Sequence, residues 1–536
     1  MATSSAAVRD TGPFTLLEPD VIVVGAGLGG LVSAAYLAAA GKRVVVVDRH
    51  SVGGGNATVF SHEGYEFDVG VHYLGDCEPG GGIPSILEPL GIDVAFRELD
   101  PDGFDVFLLP DGDRFAVPRD PDVYRARLQE AFPDHAEAIG TYVDTIVAID
   151  DALTGGGPPD AMVAHLDDTL GGYLDELGID SPRLRSVLAG EHGTYGLPPS
   201  QASLVLHAAL VMHYLKGAFY PEGGGQVIAD HLVTFIEAHG GAVVLRTPVE
   251  KILVEDGRAA GVALHPPSPE RKRGVPDELR APIVVSNADL KRTVDELVGP
   301  EHLDPEFVER VHGFTMALPL FVVYLVIDRD LAAEGYANAN LYVVPDDDVE
   351  GQYATLEAGE MPDPPMAYIT LTSLKDPTNE RLCRPGQTNL QIMTLCPADL
   401  AWWGLHEGPA AGERYRRNET YRARKEQLTE RLLEVGERAI PGLRDAIVFQ
   451  EEATPVTHER YVRSSGGTSY GIAATPGQFA LNRPGYRTSI EGLYLVGAST
   501  ISAHGIAAVM AGGVAVASTI LHADARTVAR ERLTPA

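Results

Sequence analysis

The segment that most constrains this chain is Gly25-Ala26-Gly27-Leu28-Gly29-Gly30, set between Val21-Ile22-Val23-Val24 and the alanine-rich stretch Leu28–Ala40. It has the form G-x-G-x-x-G. The apolar run before it reads as a buried strand, and the stretch after it as a helix closing at Gly41. A second buried strand, Arg43–Val47, follows and ends at Asp48. Strand, helix and strand joined by a right-handed crossover make a compact parallel unit. Within it Gly25 permits the tight turn, Gly27 lets a pyrophosphate approach the backbone, and Gly30 lets helix and strand pack closely. The phosphates would rest on the exposed N–H groups and positive dipole end of the helix. Asp48 would accept from both ribose hydroxyls. A merely tight strand-to-helix turn is the rival reading, and it leaves the acid at the tip of the second strand unexplained.

An acid at position 48 would repel a 2′-phosphate, which excludes NADP and leaves FAD or NAD. Gly54-Gly55, followed by Asn56-Ala57, offers a second glycine-rich turn of the kind a longer dinucleotide needs. That favours FAD.

Composition narrows the rest. At roughly 150 residues per domain, 536 residues correspond to about two to four domains. The chain carries 42 Lys and Arg against 75 Asp and Glu, a formal net charge of −33. Nucleic acid and anionic head groups both require a basic surface, so no nucleic-acid partner is expected. The 3 cysteines, Cys77, Cys383 and Cys396, are too few and too scattered for a disulfide framework or a thiolate metal site. A reducing cytoplasm fits, and no metal is expected. Val21–Gly41 and Gly492–Leu521 lack Asp, Glu, Lys and Arg and are long enough to span a bilayer. Glycines interrupt the first, and Ser499-Thr500, Ser502, His504-Gly505 and Gly512-Gly513 interrupt the second. Neither a transmembrane span nor a signal peptide is expected.

Residues 1–17 read as a small, polar tail. Later, Gly223–His239 reads as a glycine-rich loop entering a helix, with strands at Ala242–Arg246, Val249–Val254, Ala260–Leu264 and Ile283-Val284-Val285, the last ending at Ser286-Asn287. Asp256-Gly257-Arg258 marks a hairpin turn, and the Pro-rich, charged stretch His265–Leu279 a surface excursion. Gly492–Val496 reads as a strand and Ile506–Leu521 as a small-residue helix. The strands near residues 22, 245 and 494 can share one discontinuous sheet. Between them lie amphipathic helices, Tyr415–Val435 the clearest, and alternating strands such as Leu320–Asp328. The expected class is α/β, a discontinuous Rossmann-like FAD-binding domain with an inserted mixed α+β substrate domain. The FAD-binding parts would be 18–100, 216–300 and 481–525, and the substrate parts 101–215 and 301–480.

Motifs along nearly the whole chain resemble the two-dinucleotide-binding-domain flavoproteins of the amine oxidase superfamily. They are Gly25–Gly30 with Asp48, Gly54-Gly55, Glu66-Phe67-Asp68-Val69-Gly70-Val71-His72-Tyr73 and Tyr195-Gly196-Leu197-Pro198-Pro199. Further along come Tyr220-Pro221-Glu222-Gly223-Gly224, Thr454-Pro455 with Tyr470-Gly471, and Gly492-Leu493-Tyr494-Leu495-Val496-Gly497-Ala498. Residues 66–73 and 195–224 look most like the phytoene desaturase, carotenoid isomerase and retinol saturase branch. The resemblance implies that the cofactor is FAD, held by Gly25, Ala26, Gly27, Leu28, Gly29, Gly30, Asp48, Arg49, Gly54, Gly55, Asn56 and Ala57. It also implies Val249 at the adenine end, Asp68 through Gly70, Val71 and His72 along the isoalloxazine, and Gly497, Ala498 and the helix from Ile506 at the pyrophosphate, ribityl chain and pyrimidine edge. A helix N-terminus there would stabilise negative charge on the reduced ring. Two departures stand out: Asp48 where Glu is commoner, and Ser502-Ala503-His504-Gly505 in place of a Pro/Gly-rich run, which brings an imidazole towards the flavin.

The implied chemistry is oxidoreduction at C=C or C–C bonds, by saturation, desaturation or redox-neutral isomerisation of a long apolar, carotenoid- or retinoid-like substrate. His72, His504 and Tyr195 are the catalytic candidates, each set against a structural hydrogen bond or core packing. Tyr73 and Tyr220 are further candidates for lining a substrate tunnel. Glu191-His192 reads equally as a buried acid/base pair or as a surface pair. His207 and His213 do not share a helix face, which argues against a metal site, and Trp402-Trp403 reads as a packed or mobile loop. A flavin amine oxidase is the alternative, but Leu493–Ile506 offers only Tyr494 as an aromatic. A non-catalytic prenyl-lipid escort would have little use for an intact flavin site. The −33 charge sits awkwardly with a chain that would draw greasy substrates from membranes, so a cytoplasmic protein, peripheral at most, is expected, or a substrate smaller and more soluble than a carotenoid. Greasy substrates would then arrive by transient membrane or lipid-carrier contact through a local apolar face.

Overall fold

The computed structural model describes residues 18–266 and 275–533. The expected tail, 1–17, and most of the expected excursion, 267–274, lie outside the described residues.

Four consecutive valine or isoleucine residues form β1 (Val21–Val24) and four valines form β2 (Val44–Val47), all buried. Strands this apolar need cover on both faces, as in a parallel sheet. The five-stranded sheet runs Ala242–Val244, β2, β1, Ile283–Ser286, Leu493–Leu495, all parallel. The discontinuous sheet expected from residues 22, 245 and 494 is therefore present. Helix α1 (Leu28–Ala39) is buried along its whole length. It lies against the helix Ile506–Leu521 so closely that a Cβ on Gly513 would sit 2.6 Å from the Gly29 carbonyl. Ser33 Oγ ties the pair, donating to Gly29 O at 2.9 Å and Gly513 O at 3.1 Å. The two uncharged stretches long enough for a bilayer thus bury much of their length against each other. Among the described residues no single helix is long and apolar enough to cross a membrane.

A second sheet of seven strands runs Ile447–Ala453, Leu320–Ile327, Thr388–Leu395, Ala367–Thr370, Asn340–Val343, Asp105–Leu108, Arg114–Val117. Its pairs are antiparallel except Asn340–Val343 with Asp105–Leu108. The helices Pro121–Ala131, Ala136–Thr154 and Leu204–Leu215 enclose a tyrosine-rich core beside it.

Some boundaries move. The helix expected over Tyr415–Val435 is Glu419–Ala439, because Asn418 caps it by accepting from Tyr421 N at 3.0 Å. Within the expected excursion, Glu278–Arg280 is a strand paired with Arg258–Leu264.

Candidate active site

The chain leaves β1 through Gly25, at φ +101°. Asp48 ties this turn to the end of β2: Ala26 N donates to Asp48 Oδ2 at 2.7 Å, and His50 N to Oδ1 at 2.6 Å. Gly27 caps α1 with no side-chain acceptor, and the first helical turn carries no acid. No side chain therefore closes this helix end, as an anion-receptive terminus requires. The second glycine turn is bonded to the first, Gly54 N donating to Ala26 O at 2.6 Å. A Cβ on Gly55 would lie 3.1 Å from Gly27 Cα. Ala57 N closes that turn on Gly54 O at 3.0 Å, and Asn56 Oδ1 lies 2.8 Å from His458 Nε2. Arg49 Nη1 donates to Arg460 O at 3.0 Å and Tyr461 O at 2.9 Å, and Val249 opens the strand Val249–Glu255 half-buried.

Sequence reasoning missed Asn287. A Cβ on Gly27 would meet Asn287 Nδ2 at 2.6 Å, while Cβ atoms on Gly29 and Gly497 would meet its Oδ1 at 3.0 and 3.2 Å. One amide therefore occupies the junction of the first and last glycine motifs. Gly27 is small for Asn287 at least as much as for a phosphate. The sequence marked only the end of a strand at Ser286-Asn287.

The segment from Tyr65 to Tyr73 enters the same region. Buried Asp68 accepts from Gly225 N at 2.8 Å on Oδ1 and from the Tyr220 hydroxyl on Oδ2. This joins the 66–73 and 220–225 motifs. Burial pushes the Asp68 carboxyl up to about 6, against those two hydrogen bonds. Gly70 abuts Asn56 O, 3.0 Å from where its Cβ would be, and Val71 is fully buried. His72 has a buried Nδ1 with no hydrogen-bond partner and a ring 5.8 Å from Tyr368. Burial, with Lys375 adding, holds its imidazole down to about 3.

At the C-terminal motif Gly497 has φ +114°, and Ala498 O accepts from buried Arg483 at 2.6 Å. His504 likewise has a buried, unpartnered Nδ1, and its ring lies 5.4 Å from Tyr470. Burial and then the Arg483 charge bring it down to about 3. The helix from Ile506 starts at Gly505 without a side-chain cap or a first-turn acid, so it repeats the anion-receptive end of α1. His72 with Tyr368 and His504 with Tyr470 are thus two ring pairs, each setting an imidazole beside a tyrosine. Tyr195 packs behind Tyr470, its hydroxyl 3.5 Å from His207 Nδ1.

Other candidates resolve into packing. His207 Nε2 lies 2.7 Å from the Tyr142 hydroxyl, and His213 Nε2 accepts from Gly75 N at 2.8 Å. Trp403 is buried with its N–H on Pro397 O at 3.0 Å, and Trp402 lies under Arg424. The surface reading of Glu191-His192 is overturned. Both are buried, and burial, with the Asp105 carboxylate adding, raises the Glu191 carboxyl well above the usual range.

The arrangement fits a dinucleotide: two bonded glycine turns, two uncapped helix ends and an acid at the tip of β2. Residues 23–88 match the family described as NAD(P)-binding Rossmann-like domain. All-trans-retinol 13,14-reductase of Macaca fascicularis is 28% identical over 94% of this chain and 85% of its own length. Prolycopene isomerase 2 of an Oncidium hybrid cultivar is 26% identical over 94% of this chain and 84% of its own. The chain is a homologue of the retinol 13,14-reductases and prolycopene isomerases. Putrescine oxidase bound to putrescine shares the fold, with a TM-score of 0.63 over 94% of this chain and 99% of that one, at 16% identity. Both sequence matches extend over 94% of this chain, and so beyond the 23–88 segment.

Proposed function

We propose that the chain is an FAD-dependent oxidoreductase that saturates, desaturates or isomerises a carbon–carbon double bond of a long apolar polyene. The observation that carries this reading is similarity over 94% of the chain to a retinol 13,14-reductase, joined to an intact dinucleotide cradle. Gly25–Gly30 and Asp48 would hold the adenosine and pyrophosphate half, with Asn287 closing the gap to Gly497. The helix end at Gly505-Ile506 would face the pyrimidine edge. Bound FAD supplies hydride chemistry.

The chain's own residues set the surroundings. His72 and His504, held near pKa 3 by burial, stay neutral at physiological pH. Each offers an uncharged nitrogen to a site that must accept a hydrocarbon. A neutral imidazole can donate one hydrogen bond and accept another at Nδ1 without placing a charge beside an apolar ligand. Tyr368 and Tyr470 stand beside these two histidines as hydroxyl groups in a water-poor wall. Substrate would arrive from a membrane surface or a lipid carrier. The amine-oxidase alternative rests on a fold likeness at 16% identity, which does not extend to chemistry.

The test is purification followed by absorption spectroscopy and polyene turnover. A bound flavin band near about 450 nm, a property of the cofactor, together with conversion of all-trans-retinol or a poly-cis-carotene, supports the reading. A colourless protein that reconstitutes with neither FAD nor activity overturns it.

A further inference from the structure

Lys375 and Asp376 are consecutive, buried, and unused by the chemistry above. Lys375 ends the short helix Thr372–Lys375 that follows the strand Ala367–Thr370 of the seven-stranded sheet, and it is 0% exposed. An ammonium has three N–H donors. Here all three are engaged: His72 O at 2.7 Å, Thr370 Oγ1 at 2.7 Å, and Asn340 Oδ1. Asp376, 3% exposed, accepts from Gly223 N at 2.8 Å on Oδ2. Gly223 sits at φ +96°, a turn whose course depends on where its N–H is held. One dipeptide therefore grips two segments, the one carrying His72 and the one that reaches Asp68 through Gly225.

The grip belongs to a series. Asn389 Nδ2 donates to Glu66 O at 2.9 Å and Gln391 Nε2 to Asp68 O at 3.1 Å, both from the buried strand Thr388–Leu395. Side chains of the sheet and of the short helix that follows one of its strands thus hold the carbonyls of Glu66, Asp68 and His72 in turn. His72 Nδ1 has no partner of its own, so its ring takes its aim from the main chain and from Tyr368. The main chain at that residue is held by Lys375.

We propose that Lys375 and Asp376 are positioning residues that fix the main chain at His72 and Gly223, and so set the aim of the His72 imidazole in the active site. The inference rests on the functional reading above. Lys375 lies opposite Asp105 and Asp68 and 5.5 Å from the Tyr73 ring centroid. Burial brings its ammonium down to about 7 against the pull of those two carboxylates.

Two readouts test this on the full chain. In holoenzyme, Lys375→Met lowers kcat about 10- to 100-fold, as expected for small misplacement at a reacting centre, with bound flavin retained and KM little changed. Lys375→Arg does not restore it, because a guanidinium cannot present one nitrogen to three acceptors. Asp376→Ala lowers kcat in the same way, and Asp376→Asn, whose carbonyl can still accept from Gly223, restores it. In flavin-free protein, amide exchange rises in residues 69–75 for Lys375→Met and in 222–227 for Asp376→Ala, with the 25–30 loop unchanged. Should Lys375→Met not fold, Thr370→Val removes one acceptor and keeps the charge, and the same readouts apply. Wild-type kcat in the Lys375→Met (or Thr370→Val) variant, Asp376→Asn no better than Asp376→Ala, or exchange rising uniformly along the chain overturns the proposal. A wild-type protein that binds no flavin defeats the functional reading instead, and the exchange pattern still decides the anchoring.

Discussion

Gly27→Ala separates crowding by Asn287 from any demand for glycine dihedrals. Gly27 has φ −69° and ψ 165°, values open to alanine. The added Cβ would lie 2.6 Å from Asn287 Nδ2, well inside normal contact. Forced overpacking of this kind costs about 1–3 kcal/mol, which is about 5- to 150-fold in affinity if the strain falls on the cofactor-bound form. Removing the obstacle should recover it. In a cycle of Gly27→Ala, Asn287→Ala and the double variant, flavin affinity should show a coupling of at least about 1 kcal/mol, the double variant binding more tightly than additivity allows. Gly30→Ala supplies the contrast, since its Cβ would meet the Gly25 carbonyl at 2.4 Å, a backbone atom that truncating Asn287 does not move. The assay is fluorescence titration of apo-protein with FAD. An additive cycle, or rescue of Gly30→Ala by Asn287→Ala, refutes the placement of Asn287 against Gly27.

Acid should destabilise the protein. His72, His192, His207 and His504 are held down to about 3 by burial, and His213 and His458 to about 4. Each takes up a proton on unfolding at pH values below the ordinary histidine range but above its folded value. Stability therefore falls as pH drops from about 6.5 to about 4, by up to about 1.4 kcal/mol per pH unit for each histidine. Asp68 and Asp105, raised by burial to about 6, act oppositely, because the folded state binds their protons more readily, as do Glu66, Asp150, Glu191, Asp230 and Glu459, whose carboxyls burial also raises; the histidines carry the decline because each is displaced further than those two aspartates. Urea midpoints at pH 7, 6 and 5 should decline, and a flat or rising series contradicts the burial of these rings. His72→Gln and His504→Gln should each cut kcat about 10- to 100-fold with flavin stoichiometry unchanged; full activity in both removes them from the chemistry. Asp48→Ala leaves Ala26 N and His50 N without their acceptor, at about 1–3 kcal/mol, and should release flavin on gel filtration; retained flavin would show that Asp48 is dispensable.

The nucleotide half was legible because its requirements are local. Four apolar residues, a glycine turn and an alanine-rich stretch define β1 and α1 by composition alone, and Asp48 falls at the end of β2. The small residues of Ile506–Leu521 were legible as a helix, and Gly513 lying on Gly29 supplies the packing reason for them. What escaped was polar and non-local. Lys375 and His72 are 303 positions apart, and nothing near either residue signals the other. Asn287 looked like the end of a strand because its partners are glycines on two other segments. Glu191 could not be told from a surface acid without Asp105 beside it. Buried polar groups are specified by whichever partners the fold delivers, so their roles appear only with the tertiary structure.

The most direct measurement is anaerobic mixing of the reduced holoenzyme with all-trans-retinol and, separately, with a poly-cis-carotene, followed by product analysis. The account predicts a product that has lost one double bond, with matching reoxidation of the flavin, or a geometrical isomer with no net change in the flavin. Neither polyene reacting, while the oxidised holoenzyme in air oxidises putrescine or another amine with consumption of O2 and release of hydrogen peroxide, would contradict it.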